Sequence, residues 1–581
     1  MSRSPSPPPP PTPPSPPRGY ELVWEGKYDG QGRRVPPVPL PPDVRLTLDE
    51  RYAGLGQAFD IPSGWTNRLI LGDNRAAAAL LLPEFRGAVQ LVYLDPPFDS
   101  DADYAVTLGA PGGGPRSRSI AYRDRWGGGA SYAAFMAERL SLCRELLAPS
   151  GCLFLHCDWH SHAPLRLLLD EIFGADHFVN EIVWYYYNKY SRGQNCLPRA
   201  HDTILLYGRT RTPLLHPIRL PRAKPQRQLV RESVDGVLRN AKGPDGHVLY
   251  RTVHDKKADD VWTIPQLQPA SGEWTGYATQ KHPRLLERIL ELASRPGDLV
   301  ADLFAGSGTT LAVAQRMNRR FVGCDAGAPA IHIAKRRLIA GQEPRPGLDV
   351  YALRSTSLPA PQPEFAVQRI LDWLGAVRVP ENGPVVGRIG DAGVALHPGG
   401  LPFSSAEALR LLERRGTRAD GPLVCCAGEF EPGFWEGLEA AGVAGRVLPV
   451  CLPGDPEALS APLESPPCLL PRATVESRVE GNRVRVTLAG FGAPALADVL
   501  AGKGTHARDG LDAVDLWAVD PGWQPGAPFQ AAWFTGRPSK LRWDRPRQVP
   551  LTTPGLERPP GRWLLVKAWD GLGRAATCVL P

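Results

Sequence analysis

The segment Asp95-Pro96-Pro97-Phe98 combines an acid, two prolines and an aromatic ring directly after the apolar run Val89–Leu94. Consecutive prolines stiffen the backbone and remove two N–H donors, so their carbonyl groups act only as acceptors. A carboxylate beside such carbonyls can accept two hydrogen bonds from one amino group, and Phe98 offers a face for a planar ring. A proline-stiffened loop with an exposed acid is the alternative interpretation of these residues.

A second group of residues forms a glycine-rich turn, which runs from Asp302 to Thr310 (DLFAGSGTT). Such a turn between a strand and a helix points backbone N–H groups at an anionic or carboxylate-bearing ligand, and its glycines allow close approach. About twenty residues later the next predicted strand ends at Asp325, where a carboxylate can bind ribose hydroxyls. The turn lacks the P-loop lysine, which disfavours a nucleotide triphosphatase. An ordinary tight turn is the alternative.

Both groups need a scaffold that brings the ends of two strands together. Apolar runs alternate with helical periodicity from about residue 67, which predicts a parallel sheet covered by helices. Ligands bind outside the carboxyl ends of strands in such open α/β sheets. We predict strands at Val89–Leu94, Cys152–Cys157, Leu299–Phe304 and Phe321–Cys324, with helices over 131–148 (ending before Gly151), 162–173 and 309–318.

Positive charge is concentrated in residues 186–260, which contain 15 Lys/Arg and 7 Asp/Glu. This local excess of eight exceeds the net +7 of the whole chain, so the remainder is slightly acidic. Interspersed tyrosines make the segment a candidate nucleic-acid surface, because cations neutralise phosphates and aromatic rings stack on bases. A solvated basic loop is the alternative.

Composition limits the remaining possibilities. The chain has 581 residues, and its hydrophobic fraction of 43% fits a soluble globular protein of several domains. Ten cysteines without a Cys-x-x-Cys pair argue against a disulfide scaffold or a zinc ribbon. We find no apolar run that could span a membrane and no signal-peptide pattern, and therefore expect a cytoplasmic location.

The predicted organisation starts with a Pro-rich disordered tail at 1–17 and an N-terminal extension at 18–64. An α/β core follows. Beyond it, capping-box residues Ser404 to Glu407 and the alternation of Val484, Val486 and Leu488 behind a Gly-Asn turn predict two smaller units. The boundaries that we predict are 65–345 for the core, with an inserted recognition region at 185–275, then a linker at 346–379, a small α/β domain at 380–452, a linker at 453–471 and a β-sandwich at 472–581.

Together the motifs D-P-P-F and F-x-G-x-G resemble those of DNA amino-methyltransferases that use S-adenosylmethionine. The D-P-P-F motif comes first, which is the permuted order of the β class. Further segments resemble adenine methylases that occur as type III modification subunits: Leu71–Asn74, Leu167–Gly174, Phe178–Trp184, His201–Tyr207, Thr275–Arg288 and Phe321–Asp325. The resemblance covers about residues 65–345 and implies a Rossmann-like methyltransferase core.

The resemblance also implies roles for single residues. Asp95, Pro96, Pro97 and Phe98 would receive the target base. The cofactor would be bound by Asp73, Lys281, Asp302, Phe304, Ala305, Gly306, Ser307, Gly308, Thr309 and Asp325, with no metal. Asp73 could instead be a helix N-cap, and Lys281 a solvated lysine at a helix start. Two positions depart from the family: Asp99 stands where Asn is usual, and His282 precedes Pro283 after the T-Q-K segment.

The predicted function is therefore transfer of a methyl group to adenine N6 in double-stranded DNA after base flipping. Asp95 favours adenine, since cytosine-N4 enzymes of the family usually carry Ser there; cytosine N4 remains the alternative. A DNA-binding specificity subunit without turnover is a second hypothesis of a different class. Expected partners are double-stranded DNA and either a restriction or helicase subunit or a second copy of the chain, with no membrane.

Overall fold

The computed structural model describes most of the chain from residue 21 onward, and the helices and strands below lie in that part. The described ranges are 21–37, 39–56, 61–100, 102–108, 117–124, 126, 129–189, 196–234, 237–244, 246–340, 345–354, 364–379, 385–397, 402–415, 421–452, 469–492, 514–536, 549–570 and 574–581. The predicted tail at 1–17 and most of the linker at 453–471 lie outside the described residues.

The α-helices of these ranges are α1 (Asn74–Phe85), α2 (Gly129–Leu146), α3 (His162–Phe173), α4 (Pro283–Ala293), α5 (Thr309–Arg316), α6 (Ala328–Ile339), α7 (Glu364–Leu374), α8 (Ser405–Arg415) and α9 (Phe434–Ala440). None of these helices is long and apolar enough to cross a membrane.

The strands of the first 354 residues are β1 (Arg45–Tyr52), β2 (Thr66–Leu71), β3 (Val89–Leu94), β4 (Ala102–Leu108), β5 (Ser117–Asp124), β6 (Leu147–Cys157), β7 (Phe178–Tyr185), β8 (His201–Gly208), β9 (Arg219–Leu229), β10 (Arg231–Val234), β11 (Val237–Asn240), β12 (Tyr250–Lys257), β13 (Val261–Thr263), β14 (Leu299–Asp302), β15 (Arg320–Asp325) and β16 (Gly347–Arg354). Those that follow are β17 (Val377–Arg378), β18 (Gly387–Ile389), β19 (Ala392–Leu396), β20 (Leu423–Ala427), β21 (Val447–Cys451), β22 (Arg472–Glu480), β23 (Arg483–Gly492), β24 (Val514–Trp523), β25 (Phe529–Ala531), β26 (Trp533–Gly536), β27 (Leu556–Glu557), β28 (Trp563–Asp570) and β29 (Ala575–Leu580).

One large mixed sheet forms the centre of the molecule, in the order β13-β7-β8-β6-β3-β14-β15-β2-β16-β1-β25. The strands at its middle run parallel to one another: β6, β3, β14, β15, β2 and β16. This group is flanked by antiparallel neighbours, β8 beside β6 and β1 beside β16. All six residues of β3 are buried, as expected for a strand covered by helices on both faces. The structure confirms the predicted Rossmann-like α/β core.

Several boundaries differ from the sequence prediction. The predicted linker at 346–379 contains β16, which pairs with β2 inside the large sheet, as well as α7. The inserted region at 185–275 contains β8 and β13, which also belong to this sheet. The predicted helix 131–148 is α2, which ends two residues earlier at Leu146; Gly151 beyond it lies inside β6, where a Cβ would meet the Val89 carbonyl oxygen at 2.9 Å. Helix 162–173 is where it was predicted.

Two further units follow the core. A five-stranded sheet, β17-β18-β19-β20-β21, packs with α7, α8 and α9. The capping box is confirmed, because the Ser404 N–H donates to Glu407 at 3.0 Å and the Glu407 N–H donates to Ser404 Oγ at 3.2 Å. The predicted hairpin at Gly481-Asn482 is also confirmed, since Glu480 pairs with Arg483 and the alternating apolar residues of β23 are buried.

The last unit consists of the sheets β22-β23-β27 and β26-β24-β28-β29, which share an apolar core. Strand β24 is almost completely buried along its length because it has neighbours on both faces. Its Trp517 and Val519 point into the core shared with β23, whereas Leu516 and Ala518 pack into the core of the large sheet. This unit therefore packs directly against the α/β core.

Buried charges cross this junction at helix α6. Arg336 Nη1 donates to Asp515 at 2.6 and 2.8 Å, and His332 Nε2 lies 3.0 Å from the same carboxylate. Glu50 of β1 accepts from Lys335 of α6 at 2.8 Å and, across the junction, from Lys567 of β28 at 3.5 Å. Burial alone would raise the pKa of the two carboxyl groups. The neighbouring cations outweigh it, and they hold the pKa of Glu50 at about 2 and that of Asp515 below its usual range.

We expect Asp515→Asn to lower the free energy of unfolding by about 3–5 kcal/mol, because it leaves the Arg336 guanidinium buried without its counter-charge. A thermal or denaturant melt measures the change. The depressed pKa of Asp515 stabilises the fold above about pH 4, the unfolded value, and this stabilisation is lost as the pH falls through the folded value. The acid limb of a stability-versus-pH curve should therefore flatten in the variant.

The exposed pair of Arg211 with Asp176 provides the control, since its side chains are 72% and 68% exposed. Asp176→Asn should change stability little, because surface ion pairs contribute little. Equal effects of the two substitutions would contradict a stabilising role for the buried junction.

Candidate active site

Two adjacent parallel strands bring the two sequence motifs to one edge of the sheet. Strand β14 pairs with β3 so that Asp302 lies opposite Tyr93. Asp95 follows β3 and the glycine turn follows β14, so both loops leave the sheet side by side. Parallel strands with this register place the acid and the turn in one crevice.

The two oxygens of the Asp95 carboxylate have different surroundings. Oδ2 accepts a hydrogen bond from Lys281 Nζ at 2.6 Å. Oδ1 is buried and has no hydrogen-bond partner among the described residues; His156 Nδ1 lies 3.8 Å from it. Since a buried carboxylate oxygen normally accepts a hydrogen bond, Oδ1 is a vacant acceptor for a donor from outside the protein.

Behind Asp95 lies a buried polar network that the sequence did not indicate. His156 is fully buried in β6, with Nδ1 3.0 Å from the Tyr93 hydroxyl and Nε2 3.2 Å from Asp202. Its ring also packs against Phe98, with the ring centroids 5.6 Å apart. The network therefore orients the aromatic ring next to the acid.

The loop after Asp95 is held by another residue that sequence reasoning missed, Asp124 at the end of β5. Its buried carboxylate accepts from the N–H groups of Phe98, Asp99 and Ser100 at 2.7–3.0 Å. Asp99 has a φ of 59°, in the left-handed region where Asn and Asp are the best tolerated side-chain-bearing residues. The family's usual Asn and the Asp of this chain therefore satisfy the same backbone requirement.

The glycine turn adopts the tight conformation that its sequence predicts. Gly306 and Gly308 have φ values of 50° and 70°. A Cβ at Gly308 would lie 2.6 Å from Ala334 Cβ in α6, so only glycine fits there. Of the predicted cofactor residues from Phe304 to Thr309, only Phe304 and Gly306 are partly exposed, and the others are buried.

The side chains of Ser307 and Thr309 point into the protein rather than into the crevice. Both residues are buried, and Arg337 Nη1 donates to the Ser307 carbonyl at 2.7 Å and to Thr309 Oγ1 at 3.0 Å. They support the turn from below, so their direct contribution to ligand binding is limited to backbone groups. The sequence alone could not indicate on which side of the turn these hydroxyls lie.

Two further acids line this edge. Asp325 is engaged by the turn itself, since its oxygens accept from the Gly306 and Gly327 N–H groups at 2.8 Å each. Burial raises the pKa of Asp325, and these N–H groups oppose the shift. Burial also raises the pKa of Asp302 to about 7, although hydrogen bonds from Thr310 and the Phe304 N–H act in the opposite direction.

The segment Thr275–Pro283 connects the acid with the glycine turn. Tyr277 covers Gly306, where an added Cβ would lie 3.4 Å from the tyrosine ring, and Lys281 reaches Asp95. Gln280 braces the segment by accepting from the Thr275 N–H at 2.8 Å and donating to the Glu273 carbonyl at 2.7 Å. Lys281 was predicted to bind the cofactor, but in this structure it contacts the acid of the D-P-P-F motif.

Two residues singled out by the sequence cap helices: Asp73, for which an N-cap was the alternative interpretation, and His282, which departs from the family pattern. Asp73 is the N-cap of α1, because its carboxylate accepts from the Ala76 N–H at 2.9 Å, and it forms an ion pair with Arg139 at 2.6 Å. It lies just after β2, and its side chain remains 53% exposed. His282 caps α4 by accepting from the Arg284 N–H at Nδ1. Pro283 fits the first turn because the first N–H of a helix has no intrahelical partner. The described residues contain no group of His, Cys, Asp and Glu that could hold a metal ion.

Comparisons with known proteins agree with this geometry. The sequence profile of the family described as DNA methylase matches residues 89–336. The chain is 29% identical over 349 residues to type II methyltransferase M.EcaI of Enterobacter cloacae, covering 51% of this chain and 75% of the relative. It is 27% identical to type II methyltransferase M2.DpnII of Streptococcus pneumoniae, covering 48% and 92%. These matches support a DNA methyltransferase.

Among solved structures, half of the chain is similar to the cytosine-N4-specific PvuII DNA methyltransferase, with 15% identity, a TM-score of 0.30, and coverage of 50% of this chain and 90% of that one. The profile match begins at β3 and ends in α6. It therefore includes the D-P-P-F loop, the glycine turn and every strand end between them. The two C-terminal units lie outside the match.

Proposed function

We propose that this protein transfers a methyl group from S-adenosylmethionine to adenine N6 in double-stranded DNA after base extrusion. The vacant Oδ1 of Asp95 is the observation that carries the proposal, because it lies one strand away from the glycine turn. An exocyclic amino group supplies the N–H donor that Oδ1 lacks. The permuted β-class order is part of the proposal; the type III subclass has no support from M.EcaI and M2.DpnII, which are type II enzymes.

The crevice beside Phe304 and Gly306 fits the cofactor. Gly306 is accessible and lies beneath Tyr277, while Gly308 lets the turn pack closely on α6. The proposed contacts are the backbone of this turn for the methionine part, Phe304 near the adenine, Asp325 for the ribose and Asp73 for the adenine amino group. S-adenosylmethionine, when bound, supplies a methyl group on a sulfonium leaving group.

The residues of the D-P-P-F loop position the nucleophile. The amino nitrogen of adenine is weakly nucleophilic because its lone pair is conjugated into the ring. Acceptance of its N–H bonds by Asp95 Oδ1 and the Pro96 carbonyl favours a pyramidal nitrogen whose lone pair is directed at the methyl carbon. Methylation would leave the amino nitrogen with one proton to release, and Asp95 would be placed to receive it.

Phe98 provides the stacking surface for the extruded base. Its ring is fixed from one side by His156, and Lys281 Nζ lies 5.5 Å from its centroid. The Asp124 carboxylate holds the loop backbone in place. These fixed positions lower the entropy that must be lost when the base enters the site.

The basic segment supplies the DNA-binding element that we propose. Strands β9 and β12 form an antiparallel ribbon, and β10 and β11 a hairpin beside it, with mostly exposed residues. A two-stranded ribbon of this kind can enter the major groove of DNA. At its core end Arg219 pairs with Asp255 at 2.6 Å. Farther along, exposed cations have no carboxylate partner among the described residues: Lys224, Arg227, Arg231, Arg239, Lys242 and Arg251.

The function is tested by incubating the protein with labelled S-adenosylmethionine and duplex DNA, followed by nucleoside analysis. N6-methyladenine is the expected product. N4-methylcytosine would replace the adenine assignment by the alternative, and no transfer to any natural DNA would favour a specificity subunit without turnover. Methylation-sensitive sequencing of DNA from cells that express the protein then gives the recognition sequence.

The ribbon makes a separate prediction. Replacement of Lys224, Arg227 and Arg251 by Glu should weaken DNA binding and reduce the slope of log K against log[salt] by about 0.9 for each phosphate that the protein no longer neutralises. The same triple change at the exposed Arg478, Arg483 and Arg485 of the C-terminal hairpin alters the net charge equally and should leave the slope nearly unchanged. Equal effects of both triple variants would argue against the ribbon as the local DNA contact.

A further inference from the structure

The ammonium group of Lys281 lies close to both the acid and the aromatic ring of the D-P-P-F loop. Its Nζ donates to Asp95 Oδ2 at 2.6 Å and lies 5.5 Å from the centroid of the Phe98 ring. The side chains of this ion pair are mostly buried, with 13% of the lysine and 17% of the aspartate exposed. Lys281 therefore lies beside the proposed site of the target base, although the sequence predicted it to contact the cofactor.

The backbone on both sides of Lys281 is fixed. Before it, the buried Gln280 donates through its N–H to the Tyr277 carbonyl at 3.2 Å. After it, His282 is the N-cap of α4, and its carbonyl accepts from the N–H of the fully buried Leu285 at 3.0 Å. The point from which the lysine side chain extends is thus held in place, and its ammonium group is kept at the acid.

The ion pair leaves hydrogen-bonding capacity unused on both of its members. An ammonium group carries three N–H donors, and among the described residues Asp95 Oδ2 is the one hydrogen-bond acceptor that contacts Lys281 Nζ. Asp95 Oδ1 is the vacant acceptor described above. The pair therefore offers a ligand one acceptor and, next to it, a charged donor.

This arrangement matches the edge of only some nucleobases. An extruded base is read by hydrogen bonds to its Watson–Crick edge. On that edge adenine carries its amino group, a donor, next to ring nitrogen N1, an acceptor; cytosine has the same pair in its amino group and N3. Guanine and thymine carry a carbonyl oxygen next to a ring N–H, which would oppose the carboxylate with an acceptor and the ammonium group with a donor.

We propose that Lys281 donates a hydrogen bond to N1 of the extruded adenine while Asp95 accepts from its amino group. This inference rests on the proposed function, since it requires an adenine in the site. Two hydrogen bonds on neighbouring atoms fix the rotation of the base in its own plane over Phe98, which one hydrogen bond cannot do. Lys281 is then a specificity-determining residue for the base.

The test combines a change in the protein with a change in the base, at the recognition sequence obtained by methylation-sensitive sequencing. Lys281→Met removes the ammonium group and keeps an unbranched side chain, and 1-deazaadenine replaces N1 by C–H. The analogue should cost the unaltered protein about 10- to 100-fold more in kcat/KM than it costs Lys281→Met. Effects of the analogue on base pairing and on amino-group reactivity are common to both proteins and cancel in this ratio.

Two controls make the result specific. 7-Deazaadenine alters the other ring of the base and keeps N1, so it should cost both proteins the same factor. Asp176→Asn, at the exposed ion pair, should be as sensitive to 1-deazaadenine as the unaltered protein. Lys281→Met should also keep its affinity for S-adenosylmethionine, because Lys281 contacts the acid rather than the glycine turn.

Equal costs of 1-deazaadenine for the unaltered protein and Lys281→Met would overturn the contact with N1 and would leave Lys281 as a partner of Asp95 only. The contact is also overturned if the unaltered protein accepts 1-deazaadenine as well as 7-deazaadenine, a result that does not depend on how the variant folds. In both cases the proposed function stands. Absence of transfer to any natural DNA by the unaltered protein would instead overturn the proposed function, and the contact with it.

Discussion

Asp95→Ala should reduce methyl transfer by about 10²- to 10³-fold, the usual effect of removing one preorganised electrostatic group from an active site. The substitution removes both the vacant Oδ1 and the partner of Lys281. The target amino group would then lack its acceptor and would keep its lone pair in conjugation with the ring. The cofactor crevice beside Gly306 is built by other residues, so cofactor affinity should stay nearly unchanged.

Single-turnover transfer and equilibrium cofactor binding, measured on the same preparations, separate these effects. Asp95→Asn is the informative companion, because an amide retains one acceptor oxygen; it should fall between the alanine variant and the unaltered protein. Asp176→Asn, at an exposed ion pair, serves as the neutral control. Transfer by Asp95→Ala at more than about a tenth of the normal rate would remove this carboxylate from the reaction.

Gly308→Ala should have the opposite signature, with loss of cofactor binding as the primary defect. The new methyl group would lie 2.6 Å from Ala334 Cβ and 3.0 Å from Ala334 Cα, distances that require movement of backbone. The φ of 70° adds a strain of about 1–3 kcal/mol for a residue with a Cβ. If α6 shifts, it carries Arg337 away from Ser307 and Thr309 and loosens the turn. We expect cofactor affinity to fall by at least about tenfold.

Gly87→Ala is the matched control for this substitution. Gly87 has a similar φ of 68°, but a Cβ there would meet no atom within 4 Å. It therefore has the same backbone strain without the collision, and cofactor affinity measured by calorimetry should not change. If both variants bind the cofactor equally well, close packing of the turn on α6 is not required for the site.

It could be predicted from the sequence that the two motifs meet, because the feature that brings each of them to the sheet edge is the strand directly before it. Each motif directly follows a short apolar strand, and the carboxyl ends of parallel strands share one edge of a sheet. The adjacency of β3 and β14 then requires only that the strands pair in the common order. The glycine turn was similarly readable, since its positive φ values leave few residues besides glycine.

The support around the motifs could not be predicted, since it depends on register and side-chain direction. Asp124 meets the D-P-P-F loop through a hairpin that folds back over about 25 residues of chain. His156 meets Asp202 because antiparallel β8 pairs with β6 in one register. A lone histidine in an apolar strand gives no signal for such a partner. For the same reason the inward direction of the Ser307 and Thr309 hydroxyls is visible only in the folded chain.

The junction at α6 has a consequence for anyone who wishes to redesign this protein. One side of the helix meets Asp515 and Glu50, while Ala334 and Arg337 support the glycine turn from the other. Removing the last hundred residues would take away Leu516 and Ala518 and expose the apolar residues of the large sheet against which they pack. It would also leave the buried His332 and Arg336 without Asp515. The exposed ribbon of β9 and β12 could be exchanged without disturbing this junction. A shortened protein, in contrast, would need new residues to cover the surface that the C-terminal sheets now bury.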